Sequence, residues 1–131
     1  MQTDELLEDA RQAMKKSYNT YSHFAVGAAL RTEQGKVFTG TNIENASFSL
    51  SICAERVAIF KAVSEGYRSF TDLAIVSSSQ IPAFPCGACR QVLQEFSPRI
   101  MIYIQDNDKQ GFSLTDLLPN PFGSDTLPTT K

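Results

Sequence analysis

Residues 51–60 read SICAERVAIF, and the fold of the whole chain turns on how that stretch is taken. It has the form of a helix start, with Val57, Ala58 and Phe60 to bury and Gly66 placed to end the helix after Glu65. Cys53 and Glu55 stand two residues apart inside that start. On a helix flank this spacing sends side chains in nearly opposite directions. In a first turn, however, the N-terminal tilt of the Cβ atoms lets both reach one point beyond the helix end. Residues 85–89, PCGAC, open a second helix through CGACRQVLQEF (86–96), with Cys86 and Cys89 at i and i+3 on one face and Pro98 closing it. The two stretches together imply two helix N-termini converging on a common centre.

Outward from these helices the chain alternates in type. Thr3 is placed to cap a first helix, with Asp4 and Glu5 in the first turn, where the helix dipole favours negative charge. Leu6, Leu7, Ala10, Ala13 and Met14 follow at helical spacing. After the polar loop SYNTYSH, residues 24–32 (FAVGAALRT) and 36–40 (KVFTG) form the arms of a hairpin turning at Gly35. The turn-rich segment TNIENASFSLS leads into the first cysteine helix. Leu73 to Val76 is a short buried strand, followed by the loop SSSQIPAFP. Beyond the second cysteine helix, MIYIQ is a further strand, DNDKQG a turn, residues 111–114 a last strand and TDLLP a short helix. This order predicts an antiparallel hairpin followed by parallel crossovers, hence a mixed sheet covered by helices.

Composition bounds the function classes. A chain of 131 residues with 42% apolar and 20% charged residues suits one domain, residues 1–131, around a single core. Its formal net charge is −2 and no cluster of Lys and Arg appears, which argues against a nucleic-acid groove while leaving a single nucleoside open. The N-terminus MQTDELLEDARQAMKK lacks the basic and apolar regions of a signal peptide, and no apolar run reaches membrane-spanning length. A cytoplasmic location is the expectation. The three cysteines make an odd number, which fits a disulfide framework poorly and favours metal or catalytic use.

Each cysteine alone reads as a core filler. As a redox dithiol, Cys86-x-x-Cys89 at a helix start would leave Cys53 idle and Glu55 without a role. Zinc uses all of them: Cys53, Cys86 and Cys89 supply three ligands, and a fourth position stays open to water. Three thiolates leave a formal charge of −1 on the centre, offset in part by the two helix ends and by Arg56, which can donate to a sulfur. A closed, structural site would need His23 as fourth ligand and has no use for the carboxylate of Glu55.

C-A-E followed some thirty residues later by P-C-G-A-C resembles the signature of the zinc-dependent nucleoside and nucleobase deaminases. With Cys as first ligand it is similar to the small cytidine deaminases. The likeness runs through YSHFAVGAAL, GTNIENASFSLSICAER, KAVSEG, PCGACRQV and LLPNPF. It implies a three-layer α/β/α sandwich with a mixed five-stranded sheet. It also implies hydrolytic deamination of cytidine and deoxycytidine in pyrimidine salvage, through a zinc-activated water and a glutamate proton shuttle. Residue by residue, Cys53, Cys86 and Cys89 match the ligands of one Zn²⁺ per chain, Glu55 the shuttle and Arg56 the donor to a bound sulfur. Asn42 and Glu44 match the holders of the ribose hydroxyls, Phe24 an aromatic on the pyrimidine, and the main chain at Ala54 the base-recognition position. Phe122 matches an aromatic that closes a neighbouring subunit's pocket, and Ala46 and Phe48 lie in a segment that also reaches a neighbour's site, within a homotetramer. The family often has Tyr at position 48, so Phe48 removes a hydroxyl contact there. Three other expectations remain beside this one: a deaminase for a related aminopyrimidine such as blasticidin, a structural-zinc module using His23, and a thiol redox protein.

Overall fold

A computed structural model describes residues 2–105 and 110–128. Its elements are α1 (Gln2–Met14), β1 (Val26–Thr32), β2 (Val37–Thr41), α2 (Ala54–Ser64), β3 (Phe70–Ser77), α3 (Gly87–Phe96), β4 (Met101–Ile104), β5 (Phe112–Ser113) and α4 (Leu114–Leu117), with short 3₁₀ turns at Phe48–Leu50 and Ser124–Thr126. The strands form one sheet in the order β2-β1-β3-β4-β5. β1 is antiparallel to both β2 and β3, so those two run the same way; β4 is parallel to β3 and β5 antiparallel to β4. The helices α2 and α3 are therefore both crossovers between like-directed strands, one of them passing over β1.

Side chains alternate between two apolar layers, as the period of a strand requires. Ala29, Ala74 and Val76 face Leu6, Leu7 and Ala10 of α1. Ala28, Leu30, Leu73 and Ile75 join Ala54, Ala58 and Ile59 of α2 and Leu93 of α3 on the opposite face. The expected three-layer α/β/α arrangement with a mixed five-stranded sheet is what forms. No helix of the described residues is long and apolar enough to cross a membrane.

Some local expectations shift. α1 already includes Gln2, so Thr3 lies inside its first turn and is not its cap. β1 begins at Val26, because the side chain of Asn42 takes the backbone groups ahead of it: its amide donates to the Phe24 carbonyl at 2.7 Å and its oxygen accepts from the Val26 N–H at 2.9 Å. The last helix begins one residue early, at Leu114, where the Ser113 hydroxyl accepts from the Asp116 N–H at 3.1 Å. Residues 106–109 of the expected DNDKQG turn lie outside the described residues. Gly66, at φ 101°, ends α2 as its position predicts.

Gly40 in β2 sets how closely α2 lies on the sheet. A Cβ there would stand 2.3 Å from the Ala54 carbonyl oxygen and 2.6 Å from the Ala58 nitrogen, both backbone atoms that no rotamer change can move. Gly40→Ala is expected to push the first turn of α2 outward, at a cost of about 3 kcal/mol, the upper end of overpacking. Urea unfolding would read it as a lowered midpoint. An unchanged midpoint would show that the helix does not depend on this contact.

Candidate active site

Cys53 and Cys86 occupy equivalent places, as the N-cap residues of α2 and α3, both with extended backbone. Neither side chain caps the backbone N–H groups of its own helix. Cys89 follows one turn into α3 and is fully buried. The Cys53 and Cys86 sulfurs lie 3.7 Å apart, as do those of Cys86 and Cys89, and all three fall within 4.8 Å of one another. Two sulfurs on one tetrahedral zinc, each bonded at about 2.3 Å, are separated by about 3.8 Å. A disulfide requires about 2.05 Å. The three cysteines are thus positioned to bind a metal, at the positive ends of two helices.

Charge around the sulfurs is arranged to match. Arg56 Nη2 donates to Cys53 Sγ at 3.4 Å. The Cys53 thiol is lowered to about 5, first by the hydrogen bond from Cys89, then by Arg56 and Cys86 against the cost of burial. Cys89 is pushed up, first by that same bond to Cys53 and then by burial. The Arg56 Nε is buried with no hydrogen-bond partner, a spare donor beside a cluster that becomes more anionic when every thiol is ionised.

Glu55 is only 4% exposed. Its carboxyl is raised to about 7, chiefly by burial and secondarily by the negative Cys53, with its own backbone N–H and Arg56 acting in the opposite sense. It lines, together with Cys53 and Cys86, a cavity of about 300 Å³, at the small end of the ~300–1,000 Å³ usual for ligand sites. Cys53 and Glu55, two positions apart at the start of α2, thus line one cavity.

Four other expected residues reach this cavity: Phe24, Asn42, Glu44 and Ala54. The polarity of Asn42 is fixed by its surroundings. Its oxygen accepts from Val26 N and, at 2.5 Å, from Ser17 Oγ, while one N–H goes to Phe24 O. What remains is a single N–H, so Asn42 can donate to a ligand but has no free lone pair to accept with. Glu44 is the complement. Its Oε1 accepts from the Tyr21 and Ser22 N–H groups at 3.0 Å, and Ser22 Oγ donates to Oε2. These bonds, led by the Ser22 hydroxyl, hold the carboxyl below its usual range, and one of its roughly four acceptor sites is left over.

Ala46, Phe48 and Phe122 do not line this cavity. Ala46 is exposed, Phe48 is 74% exposed, and the ring of Phe122 is 55% exposed while the Gln91 side chain bonds both its backbone N–H and its carbonyl. His23 does not join the sulfur cluster and lies near Glu44 instead, so a closed site lacks its fourth ligand.

Two contributors were missed from sequence. Phe84 lines the cavity, and Arg90 clamps the loop that carries Cys86. Arg90 Nε donates to the Pro85 carbonyl and Nη1 to the Leu117 carbonyl, each at 2.7 Å. A signal existed for Phe84: it stands two residues before a ligand-type cysteine, so whatever places Cys86 also places Phe84.

Comparison with known proteins agrees with this geometry. A family model for the cytidine and deoxycytidylate deaminase zinc-binding region matches residues 1–105. The chain is 43% identical over 130 residues to a cytidine deaminase of Sporosarcina psychrophila, covering 97% of this chain and 96% of that one. The crystal structure of cytidine deaminase from Burkholderia pseudomallei superposes with a TM-score of 0.87 at 46% identity, covering 93% of this chain and all of that one (100%). The corresponding structure from Mycobacterium tuberculosis gives a TM-score of 0.85 at 39% identity, over 94% and 98% of the two chains.

Proposed function

The chain belongs to the cytidine and deoxycytidylate deaminase zinc-binding family, and from that membership we propose that it hydrolyses cytidine and deoxycytidine to uridine and deoxyuridine with release of ammonia. The observation that carries this reading is the meeting, on one cavity, of a three-sulfur cluster and a buried carboxyl that is not part of it. One Zn²⁺ per chain, held by Cys53, Cys86 and Cys89, supplies Lewis-acid activation of water when bound.

Glu55 does the proton work. Its carboxylate accepts a proton from the attacking water and delivers it to N3 of the pyrimidine, so the ring never carries a full negative charge. As the C4–O bond forms and the C4–N bond breaks, Glu55 passes the second water proton to the departing amine. Arg56 holds the negative charge of the sulfurs through its bond to Cys53. Phe24 packs on the base and the main chain at Ala54 reads its edge. Asn42 donates to one ribose hydroxyl and Glu44 accepts from another, the division that their own hydrogen bonds leave open.

The whole chain acts as one deaminase domain in cytoplasmic pyrimidine salvage. Exposed Phe122, Ala46 and Phe48 suit contacts with neighbouring copies in a homotetramer whose sites are completed across subunits. The decisive experiment measures zinc in freshly purified protein and follows cytidine absorbance on mixing. About one zinc per chain and a steady fall in absorbance are expected; protein without metal, or with metal but no turnover, would sink the assignment. Light scattering on the same sample is expected to give a tetramer, and a fully active monomer would refute the shared sites.

A further inference from the structure

We infer that Phe84 is a second aromatic wall of the base-binding cavity and a further binding residue for its ligand. This assignment rests on the cavity being the nucleoside site proposed above. Phe84 shares that cavity with Phe24, Cys53 and Glu55, yet the residue is 43% exposed. A large apolar side chain left open at the mouth of a small cavity gains by covering something flat.

The ring is also held in place. Its centroid lies 5.1 Å from that of Phe112 at an interplanar angle of 73°, an edge-to-face pair. Phe112 is itself anchored, by pairing of β5 with β4 and by packing on the core. An edge-to-face contact uses at most one face of either ring, so the pairing with Phe112 does not itself cover both faces of Phe84. On the other side the chain passes directly into Pro85, whose carbonyl is bound by Arg90. Phe84 is therefore a preset surface, and the same loop that carries Cys86 carries the wall. Pre-organised aromatic rings stack on any nucleobase through its π-face, and little ordering cost remains to be met on binding. The ligand class that fits this wall is a nucleoside with a flat, aromatic base.

The test uses Phe84→Leu, which keeps apolar bulk against Phe112 and loses the aromatic face, and Phe84→Tyr, which keeps the face. For Phe84→Leu the KM for cytidine is expected to rise about 5- to 30-fold, toward the lower part of the range for base stacking. The kcat, zinc per chain and thermal midpoint are expected to stay near wild type, and Phe84→Tyr to restore KM. The fold-loss should be equal for cytidine and deoxycytidine, because the wall touches the base and not the sugar. Calorimetric binding of cytidine is measured on the same proteins. If wild type binds cytidine without turning it over and Phe84→Leu weakens that binding, the wall stands and the deaminase reading fails. If wild type turns cytidine over and Phe84→Leu changes neither KM nor affinity, the wall is overturned alone. Loss of zinc or of stability in Phe84→Leu would make the residue a loop support and overturn the wall likewise. A wild-type chain that neither binds nor converts cytidine overturns both.

Discussion

Glu55→Gln is expected to retain zinc and fold while losing turnover by at least about 10²-fold and toward 10⁴-fold, the span that positioned acid–base groups contribute. The amide keeps the size of the carboxyl and its place at the start of α2, but it can neither take a proton from water nor return one to N3 or to the amine. Stability is not expected to fall. Glu55 is buried, and the leading influence on its carboxyl is the burial itself, so a neutral isostere removes a cost instead of a bond. The measurement is kcat for cytidine beside zinc content and thermal midpoint on one preparation. Turnover within tenfold of wild type would remove Glu55 from the proton path. Loss of zinc together with activity would instead make it part of the metal centre.

Cys53→Ala is expected to abolish both metal retention and activity. Two thiolates from one helix start, Cys86 and Cys89, remain, and they make half of a tetrahedral set. The loss is compounded by Arg56, whose Nη2 would lose its sulfur acceptor while its Nε is already unpartnered. His23→Ala is the control. His23 stands outside the sulfur cluster, so its removal should leave zinc content untouched. Zinc by atomic absorption on the two variants separates the possibilities: metal kept in Cys53→Ala, or lost in His23→Ala, would contradict the three-cysteine centre.

The helices were legible because their ends carry chemistry. Gly66 and Pro98 stop α2 and α3, and a cysteine stands immediately before each first turn. The strands were legible as short apolar runs, though not their order, since β2 and β3 flank β1 through pairings that no local pattern encodes. The same limit applies to the site. Cys53, Cys86, Cys89 and Glu55 are marked by residue type and spacing. The donor-only character of Asn42 is not, because it depends on Ser17, Phe24 and Val26 arriving from a different part of the chain. Phe84, a loop aromatic between two prolines, is marked in the sequence only by its place two residues before Cys86, and the fold of the β3–α3 connection brings it against the cavity. Ala46, Phe48 and Phe122 stay exposed on the single chain, Phe48 edge-to-face with Tyr21 and Phe122 held at its backbone by Gln91.

The sulfur cluster also has a topological consequence. Cys53 and Cys86 lie 33 positions apart, so a cation bound to both closes a ring of chain with α2 and β3 wholly inside it. Fastening a loop of that length restricts the unfolded ensemble by the equivalent of about 3–4 kcal/mol on the loop-entropy scale derived for disulfides. An ion held there would double as a removable clasp. It would supply the kind of cross-link that a disulfide provides elsewhere, and would make the stability of the fold depend on the supply of metal.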